Sequence, residues 1–120
     1  MILVYLASIY SVPHEDGTSP TVQEMKERTA LATKKAAEIM QEGYNVFSPL
    51  SHSDPIADYM PERFRTSHNF WLSVDCDMLK RCDELWVLML PGWERSYGIS
   101  QEIKFAEENN IPIKFIKEEN

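Results

Sequence analysis

The stretch from Asp75 to Glu102, DCDMLKRCDELWVLMLPGWERSYGISQE, decides the fold, because it reads in one pass as helix, strand, loop and helix. Ahead of the strand, Trp71, Val74, Met78, Leu79 and Cys82 recur at i, i+3, i+7, i+8 and i+11, one face of a 3.6-residue helix, and Asp75 at i+4 shares that face. Glu84 to Leu90, ELWVLML, has the continuous apolar character of a strand covered on both sides, and Pro91-Gly92 breaks it. Beyond the loop, Ile99, Ile103 and Ala106 fall at i, i+4 and i+7, with Glu102 at i+3 on their face. Each helix therefore carries a carboxylate where apolar side chains are expected. An ionised carboxylate left unpaired in such a setting costs several kcal/mol or has its pKa forced upward, so two of them flanking one strand mark a candidate active site. Asp77 and Asp83 lie off the stripe or at the helix end, where solvated or capping carboxylates are normal.

Working outward, Ile2 to Ala7 reads as a second strand covered on both faces. It runs into SIYSVPHEDGTSP, a loop of turn formers and polar groups. Loops after the carboxyl ends of strands line the ligand crevice of an open α/β sheet, which makes Ser8, Tyr10, Ser11 and His14 candidate contacts. From Val22, apolar residues recur at helical spacing until Gly43, a C-cap residue, with a solvated Lys and Glu face opposite. Tyr44 to Pro49 is a short strand, followed by LSHSDPIADYMPERFRTSH, where only a helical turn around Ile56 to Tyr59 is suggested. A stretch of that length without periodicity in a compact domain reads as a functional loop or lid, with His52 and Asp54 at its start. Asn69 or Ser67 would cap the helix bearing Asp75. In WERSYG, Ser96 is an N-cap and Gly98 permits close backbone approach; the helix start suits an anion such as phosphate, with Arg95 to assist and Trp93 beside it. Ile111 to Ile116 is the last strand.

Strands alternating with helices imply right-handed crossovers and a parallel sheet. The expected architecture is α/β, a three-layer Rossmann-like or flavodoxin-like parallel sheet of four to five strands flanked by helices, with 120 residues forming one domain. A formal net charge of -7 argues against a nucleic-acid polymer as partner, since phosphate-backbone binding needs clustered Lys and Arg. The opening MILVYLA reads as a buried strand and not as a signal peptide, and no segment approaches the roughly 18 apolar residues of a membrane span. Cys76 and Cys82 are about 9 Å apart along one helix axis and point different ways, so they do not pair, and a cytoplasmic setting is expected. No GxGxxG, GxxxxGK[ST] or GxSxG motif occurs, and His14, His52, His68 and the cysteines lack metal-ligand spacing. Neither cofactor nor metal is expected.

The pattern VYLAS closing the first strand, Asp75 eight residues before Asp83, and SxGxxxE at Ser96, Gly98 and Glu102 resembles the nucleoside 2-deoxyribosyltransferase superfamily. That superfamily includes deoxynucleoside 5'-monophosphate N-glycosidases. FSPLSHSDPI, HNFWLSVD and CDELWVLMLPGWERSYGISQEI resemble a branch of small proteins within it. The resemblance implies that Glu102 is a nucleophile toward the anomeric carbon of a 2-deoxyribosyl group and that Asp75 holds or protonates the departing base. It further implies that Tyr5 stands near the nucleophile and that Ser96 meets a 5'-phosphate, although SIYSVPHEDG lacks the glycine-rich phosphate loop of the hydrolases. The implied partner is a small-molecule deoxynucleoside or deoxynucleotide, in a homo-oligomer with sites composed between subunits. Two other readings stand beside this one: a non-catalytic nucleotide-binding or signalling module on the same fold, and an assembly protein using its exposed aromatics.

Overall fold

The computed structural model describes residues 1–119. Four strands, β1 (Leu3–Ala7), β2 (Asn45–Phe47), β3 (Glu84–Leu88) and β4 (Ile113–Ile116), form one sheet in the order β2-β1-β3-β4. All three pairings are parallel, with Tyr5 opposite Phe47 on one side and Leu85 on the other. Five helices flank the sheet: α1 (Val22–Gln41), α2 (Pro49–Ala57), α3 (Glu62–Arg65), α4 (His68–Leu79) and α5 (Tyr97–Glu108), with a 3-10 turn at Trp93–Arg95. This is the α/β architecture expected, with the sheet at four strands.

The chain leaves β1 in one direction across the sheet to reach β2, and leaves β3 in the opposite direction to reach β4. Right-handed crossovers therefore put α1 and α5 on opposite faces and create a topological switch point between β1 and β3. The packing agrees: α1 lies against α2 and β2, while α4 lies against α5. Val4, Tyr5, Leu6, Leu85, Val87 and Leu88 are almost fully buried, which is why both central strands read as unbroken apolar runs. Asp83 locks the two together at their amino ends, because its Oδ2 accepts from the Leu3 N–H at 2.8 Å while its own N–H donates to the Leu3 carbonyl at 2.8 Å.

Local signals explain the helix ends. Thr21 and Glu24 form a reciprocal capping box at the start of α1, and Gly43, at φ +103°, follows its last turn in the left-handed conformation that a residue with a Cβ avoids. Ser67, not Asn69, caps α4 by accepting from Phe70 N–H at 3.2 Å.

Three features differ from the sequence expectation. The segment after β2 is mostly helical and not an aperiodic lid. Pro49 opens α2 at the position where a missing N–H costs nothing, and Pro61 sits at the N-cap of α3; Pro55 lies within α2 at the expense of one backbone bond. Helices this short carry too little repeat for periodicity to register. Lys35 is not on a solvated face: it is buried with Ala32 and Ile39 and satisfies its ammonium on Glu38 at 3.2 Å. Trp71 is half-buried instead of core, and its indole N–H donates to the Arg65 carbonyl at 2.9 Å.

Candidate active site

The two carboxylates singled out by helical spacing meet a tyrosine from the centre of the sheet. β1 alternates its side chains, and Tyr5, with no exposed surface, points to the α5 face, where its hydroxyl donates to Glu102 Oε2. Glu102 sits in the second turn of α5, its face set by Ile99 and Ala106, which are buried with it. Only 7% of Glu102 is exposed. Burial pushes its carboxyl up to about 8; the Tyr5 hydrogen bond works against that rise, and the nearby Asp75 carboxylate adds to it.

Asp75 comes from α4, which packs on α5. Burial raises its carboxyl to about 6, and its Oδ1 is enclosed with no hydrogen-bond partner among the described residues. Such an oxygen in a native interior needs an explanation, and a ligand group that donates to it is one. Burial first, then Glu102 and Asp75, hold the Tyr5 phenol far above its ordinary value. The Cys76 thiol, beside Asp75 in sequence, is raised by burial and by the same two carboxylates. The result is a low-dielectric cluster in which two acids and a phenol share the question of where protons reside.

Ser8 directly follows the carboxyl end of β1, and Ser96 stands at the start of α5, the helix that carries Glu102. Ser96 is buried and caps α5 by accepting from Ile99 N–H at 3.1 Å, which leaves its hydroxyl hydrogen available to donate. Ser8 Oγ is buried without a partner among the described residues. Gly98, in the first turn of α5, is exposed, and a methyl group there would meet only Ser96 Oγ, at 3.8 Å.

The remaining candidates are placed differently. Arg95 donates from Nη2 to the Pro13 carbonyl at 3.0 Å, with Glu15 3.9 Å away, and so faces the β1–α1 loop. His14 is half-buried and bonded to Thr18 Oγ1 at 2.8 Å and Glu24 Oε2 at 2.6 Å. Tyr10 donates to Asp54 Oδ1 at 2.7 Å, and burial and that carboxylate raise its phenol well above the ordinary value. His52 is exposed on α2 with its ring tilted against Phe47 at 5.4 Å, and the Phe47 ring lies 5.8 Å from Tyr5. Trp93 is half-buried against Phe115 at 5.4 Å. The structure thus gathers Tyr5, Asp75 and Glu102 into one cluster, with Ser8 after β1 and Ser96 at the start of α5, and commits Arg95, His14 and Tyr10 to the loop itself. Asp54, which the sequence places at the start of the segment after β2, belongs to that loop system, and so does Arg28, which no local pattern announces because its carbonyl partners lie 16 and 18 positions away.

Among the described residues no helix is long and apolar enough to cross a membrane, and no group of three or more His, Cys, Asp or Glu side chains is placed to hold a metal ion.

Comparison with solved structures finds the fold in a 2-deoxyribosyltransferase from the psychrotolerant bacterium Bacillus psychrosaccharolyticus, at a TM-score of 0.63. The match covers 96% of this chain and 72% of that one, at 17% identity, so the likeness is one of fold. No curated protein matches the sequence. The model of the family described as a domain of unknown function, DUF1937, matches residues 2–118, nearly the entire chain, and the protein belongs to that family.

Proposed function

We propose that the protein cleaves or transfers the N-glycosidic bond of a 2'-deoxynucleoside or its 5'-monophosphate through Glu102. The observation that carries this reading is the buried Glu102 carboxyl held by the Tyr5 hydroxyl, together with a nearby Asp75 carboxylate whose Oδ1 has no hydrogen-bond partner among the described residues. The fold shared with a 2-deoxyribosyltransferase supports it.

In this mechanism an ionised Glu102 lies beneath the anomeric carbon. As the C1'–N bond breaks through an oxocarbenium-like transition state, a C1'–O bond to Glu102 forms and the departing base takes a proton from Asp75. Water or a second base then attacks C1', returns a proton to Asp75 and releases Glu102 as carboxylate. The enclosure of Glu102 raises the value of each charge interaction at the moment positive charge develops on the sugar. Tyr5 orients the carboxylate and favours its ionised form. In this reading Ser8, Ser96 and the start of α5 hold the sugar and its 5' substituent. Incubating the protein with each deoxynucleoside and deoxynucleotide, with and without an acceptor base, tests the proposal. Base release is expected from at least one, and Glu102→Ala is expected to lose it; release that persists in the variant would overturn the assignment.

One observation favours a second reading, a non-catalytic nucleotide-binding module: burial keeps Glu102 protonated at neutral pH in the free protein. That reading predicts ligand-induced thermal stabilisation without turnover, undiminished in Glu102→Gln. We also propose a homo-oligomer, which a mass measurement in solution tests.

A further inference from the structure

The loop between β1 and α1, residues 8–21, is tied down on both flanks of the crevice. On the side of α2, the Tyr10 hydroxyl donates to Asp54 Oδ1 at 2.7 Å, and Lys26 from α1 reaches the same oxygen at 3.1 Å while lying 3.6 Å from Asp58. On the side of β3, Arg95 donates to the Pro13 carbonyl at 3.0 Å. Between the two, Arg28 Nη1 gathers the carbonyls of Tyr10, at 2.6 Å, and Val12, at 3.0 Å. Because α2 follows β2, the Trp93–Arg95 turn follows β3, and β1 lies between those strands, the loop runs from one flank to the other above the carboxyl end of β1. It is a strap across the switch point where Ser8, Tyr5 and Glu102 lie.

The ties are not those of an ordinary surface loop. The Asp54 side chain is only 6% exposed, and a carboxylate that deep is destabilising unless its partners are well placed. Here the partners come from the strap and from α1, so Asp54 joins three segments at one oxygen. Its helix also touches the reactive cluster through rings, from His52 to Phe47 and from Phe47 to Tyr5. Under Arg95, Gly92 at φ +96° leaves the space the guanidinium uses: a methyl there would stand 3.0 Å from Nη2.

We propose that Asp54 is a positioning residue that fixes the strap through Tyr10, and that the strap sets the size of ligand that reaches Glu102. The statement about ligand size rests on the nucleoside reading of the site; the fastening of the strap does not. The opening of residues 8–17, read by amide hydrogen exchange, and the kinetics of base release together test it, in Asp54→Ala, Asp54→Asn and Tyr10→Phe. Loss of a hydrogen bond to a charged group predicts exchange in this segment about tenfold faster or more in Asp54→Ala and Tyr10→Phe, with β1 and β3 unchanged. Asp54→Asn, which keeps an acceptor for Tyr10, recovers most of the protection. In turnover, KM for a bulky purine substrate rises more than for a pyrimidine, and more than kcat falls. Unaltered exchange in Tyr10→Phe, or faster exchange spread evenly over the sheet, overturns the strap. Altered exchange with purine and pyrimidine affected alike overturns the role in ligand size. Absence of turnover in the unmutated protein sinks the proposed function and the ligand-size role that depends on it, while the exchange data still decide whether Asp54 fastens the strap.

Discussion

The Tyr5 hydroxyl donates to the Glu102 carboxylate from the other side of the sheet–helix interface, joining positions 97 residues apart. Burial and Asp75 both drive the Glu102 pKa upward, and this one bond opposes them. Tyr5→Phe keeps the ring and removes the opposition. The plateau of kcat/KM against pH is expected to drop about tenfold at pH 7, and its alkaline limb to move up by about one unit. Coincident pH profiles for the two proteins would show that the phenol does not act on the carboxyl.

Asp75 titrates near 6 and Glu102 near 8 in the free protein. The proposed mechanism needs Asp75 protonated and Glu102 ionised, the minority arrangement, populated in about one molecule in a hundred at neutral pH. A bell-shaped kcat/KM profile with limbs near these two values is therefore expected. Measuring base release from pH 5 to 10 checks it. A single rise that levels off above pH 8 would make Asp75 an acceptor instead of a proton donor, and a flat profile would remove both carboxyls from the chemistry.

The same burial makes Glu102 a liability for stability. Its folded pKa lies above the ordinary 4.5, so the folded state binds the proton more tightly than the unfolded chain does. Stability is thus fully present below about pH 4.5 and is lost progressively as pH rises through 8. Glu102→Gln carries no charge to bury, and its thermal midpoint is expected to exceed that of the parent protein by a margin that widens from pH 5 to pH 9. Parallel melting curves across that range would contradict the assignment of Glu102 as a buried acid.

Asp83 exchanges two hydrogen bonds with Leu3, one through its side chain. Replacing it with alanine removes the side-chain bond but leaves the N–H of Leu3 near solvent. A loss of about 1 kcal/mol in urea unfolding, with an unchanged m-value, is expected. No change in the midpoint would show that water replaces the carboxylate without penalty.

The central strands were legible because burial on both faces leaves an unbroken apolar run, and α5 because its stripe and its serine cap are local. Glu102 and Asp75 stood out by the same logic, as charges on apolar faces. Tyr5 is marked only by the family resemblance, since by spacing alone a tyrosine in a buried strand looks like packing until the helix that meets it is known. The place of Arg95 before a helix suggests an anion ligand, yet its guanidinium is held by a carbonyl 82 positions away, a contact that chain order cannot reveal. Asp54 is marked by its place after β2, but its bonds to Tyr10 and Lys26 are hidden for the same reason, and α2 and α3 are hidden by their prolines, which punctuate the sequence without breaking helices this short.

The placement of β1 between β2 and β3 carries a consequence for how the protein is made. Its register with β3 and the Leu3–Asp83 bond span 80 positions, and its pairing with β2 crosses the whole of α1. Long chain closures of this kind are slow to form. During synthesis the most apolar strand of the sheet must wait, unpaired on both edges, until β2 and then β3 arrive, and over that interval it is the segment most exposed to association with other nascent chains.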